Sequence, residues 1–206
     1  RPAPDGSRPG VYFANLYDMK NMSKFNMQAL AYHEGIPGHH MQISIAQELE
    51  NIPKFRLYGG FTVFNEGWAL YSEAIPKELG FYTDPFSDFG RLAGELYRAC
   101  RLVVDTGIHA KKWSRERAIE YMNNNVPHSK NYNVRQIERY IVMPSQATAY
   151  KIGMIKIQEL RELAESSLGD RFDIRGFHDV VLKNGSVTMP ILESNVKKWI
   201  KNQLRL

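Results

Sequence analysis

The chain has 206 residues, 43% of them hydrophobic, which suits one globular unit with a real core and excludes a disordered tail. Its net charge of +5 comes from 27 basic and 22 acidic residues that are interspersed rather than run together, so no nucleic-acid partner is expected. No apolar run approaches the roughly 20 residues of a membrane span, and the opening RPAPDGSRPG reads as the interior of a longer protein, upstream of which a signal could lie.

In chain order, VYFANL at residues 11–16 mixes β-branched, aromatic and aliphatic side chains after a Pro-Gly turn and predicts a short strand at a cleft edge. Helices are predicted over 23–34 and 39–50, with Pro37-Gly38 breaking the chain between them. Residues 56–64 read as strand or loop and lead into a helix over 66–75 that Pro76 ends. Apolar positions at Leu92, Leu96, Val103, Val104 and Ile108 predict a core helix over 88–111, and Cys100, the lone cysteine on it, reads as a buried thiol. Ser114 is placed to cap a helix over 115–123. Asn133 and Gln136 have the form of a capping box, opening a long helix that Pro144 must kink and that ends before Gly169. Asp173 and Gly185 bracket a short helix, and a last one begins near Pro190. With no repeat or linker, residues 1–206 read as one mainly α unit with a few short strands.

The stretch AYHEGIPGHHMQ, residues 31–42, departs from the zinc-peptidase pattern H-E-x-x-H. A helix turns about 100° and rises about 1.5 Å per residue, so only residues four apart share a face one turn apart. His39 and His40, six and seven residues after His33, cannot chelate with it from a straight helix. Pro37 removes a helical hydrogen bond and Gly38 tolerates unusual dihedrals, so two residues can loop out and return His39 beside His33; His40 is the rival ligand. Downstream, NEGWALYSE places Glu66 and Glu73 seven apart on one helix face, so one carboxylate can ligate while the other orients a histidine.

YHEGIPGHHMQ, NEGWALYSE, RLVVDTGIH, ERYIVMPSQATAYKIG and FHDVVLKNGSVTMPIL together resemble the carboxy-terminal part of the bacterial domain-of-unknown-function family 885, whose members resemble gluzincin metallopeptidases. The resemblance implies a mostly helical fold with a small sheet beside the metal helix, one zinc ion, a peptide substrate, and a missing helical amino-terminal half that forms the other cleft wall. Members of such a family are often exported, which leans the location toward the cell envelope or periplasm.

On that reading His33, His39 and Glu66 hold the zinc, Glu73 supports them, and Glu34 takes the proton of the attacking water. The oxyanion donor is Tyr150 by first choice, then Tyr140 or His109, and Arg139 is a candidate for binding a substrate carboxylate. Ser145 lacks the glycine pattern of a hydrolase nucleophile, and paired Glu-x-x-His motifs for a di-iron site are absent. The rival reading is a non-catalytic domain that binds peptides or partners and keeps a structural metal.

Overall fold

The computed structural model describes residues 2, 3, 5, 7–14, 19, 22–50 and 52–205. Eleven α-helices occur among them: α1 Met27–Glu34, α2 His39–Glu48, α3 Lys54–Tyr58, α4 Thr62–Ser72, α5 Ile75–Glu78, α6 Pro85–Lys111, α7 Arg115–Asn125, α8 Lys130–Val142, α9 Gln146–Leu168, α10 Ile174–Leu182 and α11 Met189–Gln203.

The expected short strands do not form among the described residues. Residues 11–14 carry no regular structure, and Val11, Tyr12 and Phe13 are exposed. Asn15 and Leu16 lie outside the described residues. A strand needs a neighbour to pair its backbone groups, and nothing described runs beside this segment as one. Residues 56–64 divide between the end of α3, a short connection and the start of α4.

α9 is the spine of the fold, with α4, α6 and α11 packed on it. It separates two cores. One gathers Phe64, Trp68 and Leu70 of α4 with Ile157, Phe177 and Leu192; the other gathers Tyr97 and Val104 of α6 with Met122, Ile137 and Tyr140. The α4–α9 crossing is set by two glycines. A Cβ on Gly67 would lie 2.5 Å from the Cα of Gly153, and one on Gly153 would lie 2.0 Å from the carbonyl oxygen of Val63. Only bare backbone fits there. The crossing therefore brings Glu66, next to Gly67, beside Tyr150, one turn before Gly153.

Pro144 breaks the predicted long helix rather than kinking it. α8 ends at Val142, and Ser145 sits in the left-handed region at φ 69° before α9 begins. Asp105, buried on α6, accepts from the backbone N–H of Ser145 (3.2 Å) and Thr148 (3.0 Å), capping α9 from another helix. The cap of α8 is Ser129, which accepts from the N–H of Tyr132; Asn133 lies inside the helix and is fully buried. Ser114 and Asp173 cap α7 and α10 as their sequence positions suggest. Cys100 is buried.

Candidate metal centre

α1 stops at Glu34, and a turn through Gly35, Ile36, Pro37 and Gly38 re-aims the chain before α2 starts at His39. The turn is closed by Gly35 N–H donating to the carbonyl of Ala31 (2.8 Å) and Gln42 N–H donating to that of Gly38 (3.0 Å). Trp68 of α4 donates its indole N–H to the Pro37 carbonyl at 2.8 Å, fixing the turn against the glutamate helix. Gly38 has no substitute, because a Cβ there would lie 1.9 Å from the His33 carbonyl oxygen. So the motif does not stay on one widened helix. Two helices meet at a corner, and the His33 and His39 rings come to 4.9 Å between centroids, at 89° to each other.

Glu66 completes the cluster. His39 Nε2 lies 3.2 Å and His33 Nε2 lies 3.6 Å from the same Glu66 oxygen, Oε2. One donor atom from each of the three residues falls within 4.8 Å of the others. Ligand atoms around a tetrahedral ion with bonds of about 2.0–2.1 Å are about 3.3 Å apart. The donor set therefore fits a zinc-sized ion in type and in spacing. His40 does not join it. Its side chain is exposed and packs at Gly10, where a Cβ would meet His40 Nδ1 at 2.8 Å.

Glu73, seven residues further on at the C-cap of α4 and buried, accepts from His33 Nδ1 at 2.7 Å. That bond keeps a proton on Nδ1, so in the neutral imidazole Nε2 is the nitrogen with a lone pair to offer a metal. Arg98 of α6 donates to the same Glu73 oxygen at 3.4 Å. Burial lowers the His33 pKa, but the carboxylates of Glu66 and Glu73 outweigh it and the net direction is up. Burial would raise the Glu66 carboxyl, yet hydrogen bonds from the two histidines hold it well below the usual carboxylate range. Both shifts share one origin, the close approach of imidazoles and carboxylates in the cluster.

Tyr150 lies alongside, its ring stacked on His33 at 6.2 Å and 18°, and its hydroxyl accepts from Gln146 Nε2 at 3.0 Å. Burial, reinforced by the Glu66 charge, raises its pKa and keeps the hydroxyl protonated as a donor. Glu34 is exposed and lines two cavities at once. One is a cleft of about 790 Å³ bounded by residues 10–13, α1, His39 and Glu66. The other is a pocket of about 300 Å³ between α1, α6 and α8, with His33, Tyr150 and Arg139 in its wall.

Two expected residues are elsewhere. Tyr140 is buried in the second core with its hydroxyl 2.8 Å from that of Tyr97, and His109 Nε2 donates to the Tyr140 carbonyl at 3.0 Å; neither lines either cavity. Tyr140 and Tyr150 flank the Pro144 break, but Tyr140 stays in the second core on α8 while Tyr150 on α9 lies against His33. Sequence reasoning missed Arg98, Arg101, His128 and Gln146. Arg101 carried a legible signal, since it falls in phase with Tyr97 and Val104 on the apolar face of α6.

The fold and site define a helical protein whose two-histidine, one-glutamate donor cluster sits where two cavities meet. Residues 1–196 match the family described as "Bacterial protein of unknown function (DUF885)", and the chain belongs to that family. It is similar to the crystal structure of the "putative lipoprotein" of Colwellia psychrerythraea, with 51% identity and a TM-score of 0.94 over 98% of this chain and 34% of that one. It is also similar to the "putative lipoprotein of unknown function" of Shewanella oneidensis, with 26% identity and a TM-score of 0.77 over 84% of this chain and 31% of that one. The chain thus spans about a third of the length of these solved relatives. No curated protein matches the chain. No helix among the described residues is long and apolar enough to cross a membrane.

Proposed function

We propose that this chain carries the catalytic centre of a zinc-dependent peptidase. The observation that carries the reading is the double use of His33: Nδ1 is held by buried Glu73 at 2.7 Å while Nε2 converges with His39 and Glu66. Ligating histidines are usually oriented by such a partner. When bound, zinc lowers the pKa of a water and polarises the scissile carbonyl. Glu34, next to His33 and open to both cavities, takes the water's proton and returns it to the leaving amine. Tyr150 donates its hydroxyl proton in a hydrogen bond to the developing oxyanion. The segment 10–13 along the larger cleft, exposed at Val11, Tyr12 and Phe13, offers backbone groups to an extended peptide.

The exposure of His40 leaves a three-residue donor set, the count typical of catalytic rather than structural zinc, which supports catalysis. The solved relatives' description as lipoproteins supports a location in the cell envelope for this protein too. The rest of a longer protein would supply the cleft's opposite wall. The test is Glu34→Gln in the purified protein at its natural length. It should keep its zinc and its fold while peptide hydrolysis falls about 10²- to 10⁴-fold; turnover near the wild-type rate would remove Glu34 as the base.

A further inference from the structure

The smaller cavity has a feature that metal binding does not require. Arg101 of α6 is buried at 5% exposure, and among the described residues no carboxylate pairs with it. Its guanidinium lies 4.2 Å from the Tyr150 ring centroid and 5.2 Å and 5.5 Å from those of Tyr140 and Tyr97. Nη2 donates to Gln146 Oε1 at 3.0 Å, while Nε has no partner. A buried guanidinium is among the least favourable groups to leave without a counter-charge. Its neighbour Arg98 is different, since Glu73 already neutralises it.

The rest of the wall has the same character. His128 Nδ1 is buried without a partner, and burial together with Arg98 lowers the pKa of that imidazole. Arg139, exposed on α8, lines the same cavity. The only carboxylates on the wall are Glu73, engaged with His33 and Arg98, and Glu34. The volume of about 300 Å³ is at the lower end for ligand pockets, which run roughly 300–1,000 Å³. The wall therefore carries the unpaired guanidinium of Arg101 and the exposed one of Arg139, with Glu34 as its one carboxylate not engaged by another wall residue among the described residues.

We propose that this pocket receives the free terminal carboxylate of the substrate, with Arg101 as its main partner and Arg139 at the rim, which makes the enzyme a carboxypeptidase. The inference rests on the peptidase reading and deepens it. Glu34 and His33 belong both to the metal centre and to the pocket wall. The cavity's small volume of about 300 Å³ limits the leaving portion to about one or two residues beyond the scissile bond. Hydrolysis breaks that carbonyl carbon–nitrogen bond and forms a carbon–oxygen bond from water. The water's proton passes through Glu34 to the amine, and a free amino acid or dipeptide leaves from the pocket. A planar guanidinium suits a carboxylate by two parallel hydrogen bonds, and Nε is one of its donors.

The test compares one N-acetylated peptide as free acid and as carboxy-terminal amide, using the zinc-loaded protein at its natural length. The acid should be cleaved with kcat/KM at least 100-fold higher, releasing only its last one or two residues. Arg101→Gln should collapse that ratio toward one, and Arg139→Ala should lower it by a smaller factor. Because Arg101 is buried and its variant could unfold, a second readout uses zinc-loaded Glu34→Gln. Calorimetry on it should show N-acetylphenylalanine binding at least 10-fold tighter than its amide. Equal cleavage of acid and amide overturns the carboxylate pocket and leaves the peptidase reading standing. Selective binding of the acid with no cleavage of either peptide overturns the peptidase reading and leaves the pocket. Neither cleavage nor selective binding overturns both.

Discussion

Gly153→Ala tests whether the α4–α9 crossing builds the site. The added Cβ would lie 2.0 Å from the Val63 carbonyl oxygen and 2.6 Å from the Gly67 Cα, both backbone atoms that cannot swing aside. Relieving the first contact means moving one helix by about 1 Å, since Cβ contacts below about 3 Å are sterically forbidden. Overpacking of this kind destabilises by about 1–3 kcal/mol, occasionally more, and alanine's better helix propensity recovers about 1 kcal/mol. A net loss of up to about 2 kcal/mol should lower Tm by up to about 4–8 °C for a chain of this size. The same shift carries Glu66 away from His33 and His39. Metal sites tolerate only about ±0.2 Å in ligand distance, so zinc affinity should fall with stability. Thermal unfolding with and without zinc, beside a competition titration with a chelator, reads both effects. Gly176→Ala is the comparison, because its Cβ would meet only the Trp199 side chain, at 3.2 Å; it should change Tm by far less. A Gly153→Ala protein with wild-type Tm and zinc affinity would refute the crossing as the device that sets the site.

Glu73→Gln should weaken zinc binding about 10- to 100-fold while the helices persist, because the amide can still accept from His33 but lacks the charge; unchanged affinity in a chelator competition would remove Glu73 as the orienting group. His178 supplies a pH test away from the site. Burial, followed by the Arg161 charge, pulls its pKa from 6.5 down to about 4, and the Tyr71 hydroxyl donates to its Nε2 at 3.0 Å. The unfolded chain therefore binds a proton that the folded chain refuses between those values. Stability is fully present above about pH 6.5 and is lost as pH falls toward 4, by at most about 3 kcal/mol. Unfolding free energies from pH 7 to 4.5 should decline more steeply in wild type than in His178→Gln, and parallel curves would contradict this.

The candidate donor cluster was legible in the sequence because it is locally encoded. His33, Pro37, Gly38 and His39 lie within one corner, and Glu66 and Glu73 lie about two turns apart, on α4 and at its C-cap. The choice between His39 and His40 was not local, since packing at Gly10 is what occupies His40. The strand at 11–16 was misread for a related reason. β-branched and aromatic composition describes a segment that suits a sheet, but a sheet needs a second strand, and composition does not supply one. Pro144 signalled an interruption correctly, yet whether it kinks or ends a helix depends on Asp105, some 40 residues earlier, which caps the new start. Arg101 was hidden most deeply. Its meaning comes from what it lacks in three dimensions, and no spacing rule records a missing partner.

Zinc content measured by elemental analysis, on wild type and on single alanine variants at His33, His39, His40 and Glu66, tests the metal centre most directly. One zinc per wild-type chain is expected, retained by His40→Ala and lost or strongly weakened in the other three. Full zinc in His39→Ala with loss in His40→Ala, or zinc content indifferent to all four, would contradict the site described here.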